Sequence, residues 1–183
     1  MVSETTLMRA LTGDAEAFEA IVVWYEPRIY RFLYALLRDR ELARDLTQET
    51  FLSAHSHIRR AGADLKLAAW LYTIAKNHAF SALRRRRLVS WLPLPKRRKE
   101  GEAEEELDVG QGGDLAAEVV EQEALREALA RLNPEYRALL LLTAEGFSYG
   151  EIGRMMGFKA TVVRQRVYRA RERLREVYRD LED

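Results

Sequence analysis

The sequence contains no cysteine among its 183 residues. This absence excludes disulfides, thiolate metal sites and cysteine nucleophiles, and it fits a reducing compartment. Proline (4) and glycine (10) are scarce, which argues against a collagen-like or wholly disordered chain. No apolar run approaches the about 20 residues of a membrane span, and residues 1–10 lack the apolar core of a signal peptide. We therefore expect a cytoplasmic protein with no membrane insertion of its own.

The net charge of +1 conceals a strong segregation of charge along the chain. Residues 1–99 carry a net charge of +8, residues 100–124 carry −10, and residues 125–183 carry +3. Two basic blocks on either side of an acidic connector suggest two modules that each meet a polyanion. The connector has few large apolar residues to offset the entropy of ordering, so residues 91–115 are predicted to be a flexible acidic linker. A short helix through its glutamates is the alternative.

Apolar residues recur at helical spacing throughout both blocks, and no segment alternates with the period of a strand. The predicted fold class is therefore all-α, with two small helical domains, 1–90 and 116–183, joined by the linker. The spacing, caps and glycines predict helices over 14–25, 27–37, 41–58, 66–88, 118–132, 133–145, 148–156 and 160–181.

A helix-turn-helix is predicted in the second domain. Ser148 and Glu151 have the spacing of a capping box, and Gly157 stands where a left-handed turn residue is needed. The final helix should bury a stripe made of Val163, Val167, Ala170, Leu174 and Val177. The opposite face would then enter a DNA major groove, with candidate contacts at Thr161, Arg164, Gln165, Tyr168 and Arg169.

Candidates for catalysis are weak. His55 and His57 are two residues apart and leave a helix in different directions, whereas His78 is predicted to pack in the core. Asp45 and Glu49 share a helix face and could form an acid–base pair, or they could form a solvated or partner-facing edge. No glycine-rich phosphate loop or nucleophile motif occurs. We predict no enzyme, no metal site and no cofactor.

The fourth helix of the first block ends in four arginines, Arg84, Arg85, Arg86 and Arg87. These charges could complement the helix dipole, or they could contact phosphates with release of counterions. Trp70, Asn77 and Phe80 precede them on the same helix, and aromatic groups beside a basic end suit unpaired bases. Aromatic residues at helical spacing are also ordinary core residues, so both interpretations stay open here.

Several segments together resemble one family. DLTQETFL at 45–52, WLYTIAKN at 70–77 and the arginine run resemble region 2 of the extracytoplasmic-function (ECF) sigma factors. LNPEYR at 132–137 and FSYGEI at 147–152 resemble region 4. The resemblance implies a protein that binds core RNA polymerase and directs promoter-specific initiation of transcription in response to a stress or envelope signal. An anti-sigma factor is a further expected partner. The alternative is a helix-turn-helix regulator that binds DNA without core polymerase.

The resemblance also implies roles for particular residues. The surface that docks on core polymerase would include Asp45, Gln48, Glu49 and Phe51. Contacts to the −10 element would come from the arginine run and from Ala61, Asp64, Lys66 and Asn77. The final helix would read the −35 element. Gly153 departs from the family pattern, which usually has alanine there, and the helix starts with TVVR at 161–164 instead of the usual GTVK.

Overall fold

The computed structural model describes residues 2–89 and 115–182, and every regular element in these ranges is an α-helix. The all-α prediction is confirmed. The helices in chain order are α1 (Glu4–Leu11), α2 (Ala15–Leu37), α3 (Arg40–Ile58), α4 (Leu67–Val89), α5 (Leu115–Arg131), α6 (Pro134–Ala144), α7 (Tyr149–Met156) and α8 (Ala160–Glu182). None of these described helices is both long enough and apolar enough to cross a membrane.

Most predicted helices are present with ends within three residues of the expected ones. The predicted start of the fifth helix at residue 118 is late, because α5 already includes residue 115. Residues 91–114 of the predicted linker lie outside the described ranges.

The predicted break before Pro27 is wrong, because 14–25 and 27–37 belong to the single helix α2. Proline lacks the N–H of one helical hydrogen bond, but its fixed φ is compatible with a helix. Ile21 and Ile29 lie on either side of the proline and are fully buried. Beside it, Arg28 Nη1 donates to the Trp24 carbonyl at 2.6 Å. Packing on both sides of Pro27 therefore keeps α2 continuous.

The sequence reasoning missed α1. This helix has eight residues and is capped by Ser3, whose hydroxyl accepts from Thr6 N at 3.0 Å. Ala10 is its buried residue, and the helix packs along α2. A helix of this length is marginal by itself in water, so its stability depends on that packing.

The apolar core runs without interruption from the N-terminal lobe, α1–α4, into the C-terminal lobe, α5–α8. Leu33 and Leu71 of the first lobe belong to the same buried cluster as Leu139 and Ile152 of the second. Helix α4 packs against α7, and α2 packs against α5 and α6. The division into domains 1–90 and 116–183 stays a proposal, and the two segments are in direct contact in this structure.

The C-terminal lobe meets α4 and the residue before it in one contact region. Its polar and aromatic contacts are made by Lys66, which directly precedes α4, by Tyr72 and Lys76 of α4, and by Glu145, Phe147, Glu151 and the Met155 carbonyl of the C-terminal lobe. Tyr72 Oη donates to Glu145 Oε2 at 2.6 Å, and its ring meets Phe147 edge-on at 5.1 Å between centroids. Lys66 Nζ lies 3.0 Å from Glu151 Oε1. Lys76 Nζ donates to the Met155 carbonyl at 2.6 Å.

A second link between the lobes is made by Arg137, which is 8% exposed. Its guanidinium donates to the carbonyls of Leu129 at 2.8 Å, Leu132 at 3.0 Å and Leu36 at 2.7 Å, and also to that of Ala130. These carbonyls lie at or just after the C-terminal ends of α5 and α2, where helix geometry leaves carbonyls short of donors, although that of Leu129 also accepts from Leu132 N at 3.2 Å. One buried cation thus joins two helix ends from different lobes.

Candidate partner and nucleic-acid interfaces

Helix α3 presents a polar face to solvent at the predicted docking surface. Asp39 caps the helix by accepting from Leu42 N at 2.9 Å. Asp45, Gln48 and Glu49 are exposed, and their spacing of three and four residues places them on one face. A shallow groove between α2 and α3 adjoins this face and is lined by Glu26, Pro27, Tyr30, Arg44, Thr47 and Gln48. The acidic face and the groove together form a surface open to a partner.

Phe51 does not belong to this surface. It is 7% exposed and packs in the core, so its prediction as a docking contact is wrong. It follows buried Thr47 by four residues and precedes buried Ala54 by three, which puts it on the inner side of α3. Leu52 is the exposed apolar residue of this face, because it is 69% exposed and lies seven residues after Asp45. That two-turn spacing was a signal available in the sequence.

His78 lies on α4 and contacts the predicted docking face of α3. It was predicted to pack in the core, but it is only partly buried. Its side chain is 29% exposed, with Nδ1 3.4 Å from Glu49 Oε2 and Nε2 3.2 Å from Ser53 Oγ. Both partners belong to α3, so the imidazole braces the two helices. In the described parts of the chain, no three His, Asp or Glu side chains gather as a metal site would require.

The residues predicted for the −10 element form two groups in the structure. Ala61, Asp64 and Lys66 lie in the loop that connects α3 to α4, with Ala61 half-buried and the other two exposed. Asn77 is exposed on α4 and borders a cleft between the lobes. The cleft is lined by Lys76, Asn77, Phe80, Ser81, Arg84, Glu135, Met156 and Phe158. Lys66 and Asn77 therefore both face the C-terminal lobe.

The arginine run is exposed at the end of α4, and its members have different partners. Arg86 pairs with Asp39, the residue that caps α3. Arg84 Nη2 donates to Ser81 Oγ at 3.0 Å. Arg86 thus has a structural contact that the sequence did not indicate. The run as a whole adds positive charge beside the loop and the cleft, and burial followed by the charge of Arg84 lowers the pKa of Lys76.

The helix-turn-helix forms as predicted. Ser148 and Glu151 make the reciprocal capping box of α7, and Gly157 ends that helix with φ of 76°. The Ser148 hydrogen bonds, and then Lys66, lower the pKa of Glu151 to about 2. A side chain at Gly153 would meet the Phe158 backbone carbonyl at 2.5 Å. The usual alanine would therefore not fit the close approach of α7 to this turn.

Helix α8 separates a buried stripe from an exposed one. Val163, Val167, Ala170 and Val177 are at most 5% exposed, which confirms the predicted stripe, although Leu174 is only half-buried. The opposite face exposes all five residues predicted to read DNA, namely Thr161, Arg164, Gln165, Tyr168 and Arg169. A row of donors and acceptors on an exposed second helix can meet base edges in a major groove.

Arg166 was not singled out by the sequence reasoning, and the structure gives it a positioning contact. Its guanidinium pairs with Glu135 in the first turn of α6 and lies 4.0 Å from the centre of the Phe158 ring. This places the start of α8 relative to α6 and the turn. The signal available in the sequence was its position between the buried and exposed stripes.

Two family models match the chain, one to each lobe. Sigma-70 region 2 matches residues 21–89, and Sigma-70, region 4, matches residues 122–174. The RNA polymerase sigma factor CarQ of Myxococcus xanthus is 34% identical over 93% of this chain and 94% of its own. The ECF RNA polymerase sigma factor SigW of Bacillus subtilis is 28% identical over 99% of each chain.

A solved structure is similar as well. It is the co-crystal structure of the sigma factor RpoE with the anti-sigma factor NepR from Bartonella quintana. The likeness has a TM-score of 0.68 and 26% identity, over 90% of this chain and 98% of that one.

Proposed function

Because this chain belongs to the ECF family of RNA polymerase sigma factors, we propose that it binds core RNA polymerase and directs it to specific promoters. The observation that carries the proposal is the presence in one chain of two separate surfaces. One is the exposed acidic and apolar face of α3, and the other is the groove-reading face of α8. Sigma factors are not enzymes in general, and we propose no turnover for this chain.

The polymerase-binding surface is proposed to consist of Asp45, Gln48, Glu49 and Leu52. The three polar side chains are exposed, and Leu52 adds a large apolar group beside them. An apolar contact surrounded by polar groups is the usual composition of a binding hot spot and its rim. The family resemblance supports the clamp helices of the largest catalytic subunit as the partner of this surface. A protein that acts on core polymerase would work in the cytoplasm, and we propose that localisation.

The −10 surface is proposed to combine the α3–α4 loop with one side of α4. Asp64 and Lys66 of the loop are exposed, and Asn77 offers an amide with both donors and an acceptor. The arginines at the end of α4 would follow the phosphates of a separated strand. Base extrusion takes a few kcal/mol, which stacking and hydrogen bonds in such a site would offset.

The −35 surface is proposed to be the exposed face of α8. Arg169 and Gln165 can form bidentate contacts with guanine and adenine edges, respectively. Tyr168 is 65% exposed, so it is available at the same face. Arg164 lies near the start of α8, where contact with a base or a phosphate is feasible.

Two further parts of the proposal concern regulation. RpoE was solved with an anti-sigma factor, and this relative supports an anti-sigma factor as a partner of the present chain. A stress or envelope signal that releases such a partner would then start transcription.

The proposed docking surface of α3 can be tested by replacing its exposed apolar residue with a charged one. Leu52→Glu should weaken binding to core polymerase by about tenfold or more, as at other interface hot spots. Met8→Glu is the matched control, because Met8 is a 44% exposed apolar residue on α1. Binding to purified core is measured by fluorescence anisotropy, with circular dichroism as a check of folding. Equal binding by Leu52→Glu and wild type would remove this face from the proposal.

Promoter-directed transcription with reconstituted polymerase tests the function itself. The chain should activate transcription only together with core. Tight, sequence-specific binding to a promoter duplex without core would instead indicate an ordinary helix-turn-helix regulator.

A further inference from the structure

We propose that Arg86 is a positioning residue and not a DNA contact, because Asp39 holds it at the start of the docking helix α3. The arginine run at the end of α4 would then have two roles, a strand contact through Arg84 and a brace between helices through Arg86. The inference rests on the proposed function, since it takes α3 as the polymerase-binding helix and α4 as part of the −10 surface. It removes one of the expected residues from that −10 surface.

The rotation of α4 turns Arg86 away from the side that carries Asn77. Ala75 and Ala79 are fully buried and belong to the inner stripe of α4. Arg86 follows Ala79 by seven residues, or two turns, so it continues this inner stripe toward α3. Arg84 follows exposed Asn77 by the same seven residues and therefore continues the outer side. Arg84 and Arg86 thus leave the helix in directions about 200° apart.

The two carboxylate oxygens of Asp39 have separate roles. Oδ1 accepts from Leu42 N at 2.9 Å and caps α3, whereas Oδ2 pairs with Arg86. The side chain of Asp39 is 30% exposed and that of Arg86 is 51% exposed, so the pair lies at the protein surface. The docking face begins at Asp45, less than two turns further along α3. The end of α4 is therefore attached to the first turn of the helix that would bind polymerase.

The charge of Asp39 also disfavours a phosphate at Arg86. A phosphate that approached this guanidinium would meet the carboxylate already paired with it, and like charges at such a distance repel. Asp39 cannot move away without loss of the cap of α3, because the same carboxylate makes both contacts. Arg84 has a neutral partner instead, since its Nη2 donates to Ser81 Oγ at 3.0 Å. That contact leaves the charge of Arg84 available to a phosphate, with release of counterions.

A matched control exists at the start of α2, where an arginine also pairs with a capping aspartate. Asp14 caps α2 by accepting from Ala17 N at 3.1 Å, and its other carboxylate oxygen lies 2.7 Å from Arg9 Nη2. The Arg9 side chain is 55% exposed, close to the value for Arg86. Neither Arg9 nor Asp14 belongs to a proposed binding surface. Arg9→Ala therefore reproduces the loss of such a pair without touching α3 or α4.

The first experiment measures the affinity of a fluorescent single-stranded −10 oligonucleotide for the complex of the full chain with core polymerase. Anisotropy is recorded at several salt concentrations. Arg84→Ala should lower the slope of log affinity against log salt concentration by about 0.7, the value for one phosphate contact on a single strand. Arg86→Ala should keep the slope of wild type, as should Arg9→Ala. An equal loss of slope in Arg84→Ala and Arg86→Ala would overturn the inference.

The second experiment measures the affinity of the chain for core polymerase, with circular dichroism as a check of folding. Arg86→Ala should weaken this affinity about two- to fivefold, as expected for loss of a partly exposed ion pair, and Arg9→Ala should not. Asp39→Asn keeps a capping oxygen but removes the charge. In that background Arg86→Ala should cause no further loss. A further loss of the same size would show that Arg86 acts through a group other than Asp39, and the inference would fail.

The ion pair can also be tested without polymerase, which separates this inference from the proposed function. A chain that does not bind core would refute the proposed function alone. In the free protein, urea denaturation of wild type, Arg86→Ala, Asp39→Asn and the double variant should give non-additive losses of stability, because the two residues share one contact. Additive losses would overturn the brace whether or not the chain binds polymerase.

Discussion

Replacing Arg137 with methionine should lower the free energy of unfolding by about 3–5 kcal/mol, because hydrogen bonds from one charged group to four backbone carbonyls are lost and each such bond contributes about 1.5–3 kcal/mol before water or other donors compensate. Methionine keeps much of the length and apolar volume of the side chain but has no hydrogen-bond donor. The four carbonyls that Arg137 serves, Leu36 among them, belong to the backbone and cannot be replaced together with it. The Leu129 carbonyl would still accept from Leu132 N. Each of the other buried carbonyls, left without a donor, costs about 1–3 kcal/mol, and partial access of water reduces the total.

The charge of Arg137 also matters, because its guanidinium lies at the negative ends of two helices. Burial, followed by the charge of Arg38, lowers the pKa of Arg137, but from an ordinary value far above neutrality. The side chain therefore remains charged at neutral pH. Arg137→Lys should give an intermediate loss, since an ammonium group keeps the charge but cannot reproduce the planar fork of donors.

Urea denaturation followed by circular dichroism measures the effect. Arg173→Met is the control, because Arg173 is exposed and pairs with Glu176 one turn away at 2.8 Å. Such a pair contributes about 0.2–0.5 kcal/mol. A loss below about 1 kcal/mol for Arg137→Met would refute the reasoning, because it would mean that the carbonyls find other partners at little cost.

Three further predictions follow from the C-terminal lobe. Arg169→Ala should reduce the preference for particular −35 bases by about 1–3 kcal/mol at one or two positions. Arg175→Ala should at most weaken the affinity for all sequences alike and lower the slope of log affinity against log salt concentration by about one. Binding of variant −35 duplexes at several salt concentrations decides between these patterns. Gly153→Ala should destabilise the protein by about 1–3 kcal/mol, because the new Cβ would lie 2.5 Å from a backbone carbonyl, and a melting temperature equal to that of wild type would contradict this. The lowered pKa of Glu151 contributes stability that is fully present above about pH 4.5 and is lost as the pH falls through about 2. Thermal melts of wild type and Glu151→Gln should therefore converge over that range, and parallel curves would argue against a role for the charge.

The fold class and most helix ends were predictable because they depend on local chemistry. The capping box at Ser148 and the glycine at 157 specify a turn within a few residues of themselves. The buried stripe of α8 follows from the repeat of 3.6 residues per turn, and the same repeat predicted which residues are exposed on the opposite face. Short α1 and the continuity of α2 through Pro27 were missed, because packing against distant residues stabilises both.

The surface of α3 shows the limit of a motif. Asp45, Gln48 and Glu49 were correctly expected on one exposed face. Phe51 belongs to the same motif and was expected beside them, but it is buried, whereas the next residue, Leu52, is exposed. A motif indicates which residues occur together, and only the orientation of the helix in the core decides which of them point outward.

The sequence by itself determined most of the helices, the helix-turn-helix and the family, because residue spacing, capping residues and the order of the motifs specify them. Only the tertiary structure decided what the charged residues contact. Arg137 between two helix ends, Arg86 on the cap of α3 and Lys66 against Glu151 all pair with groups far away in the chain. Such contacts depend on how packed helices bring remote segments together, and the apolar pattern of each helix does not specify the pairing of polar groups at its edges.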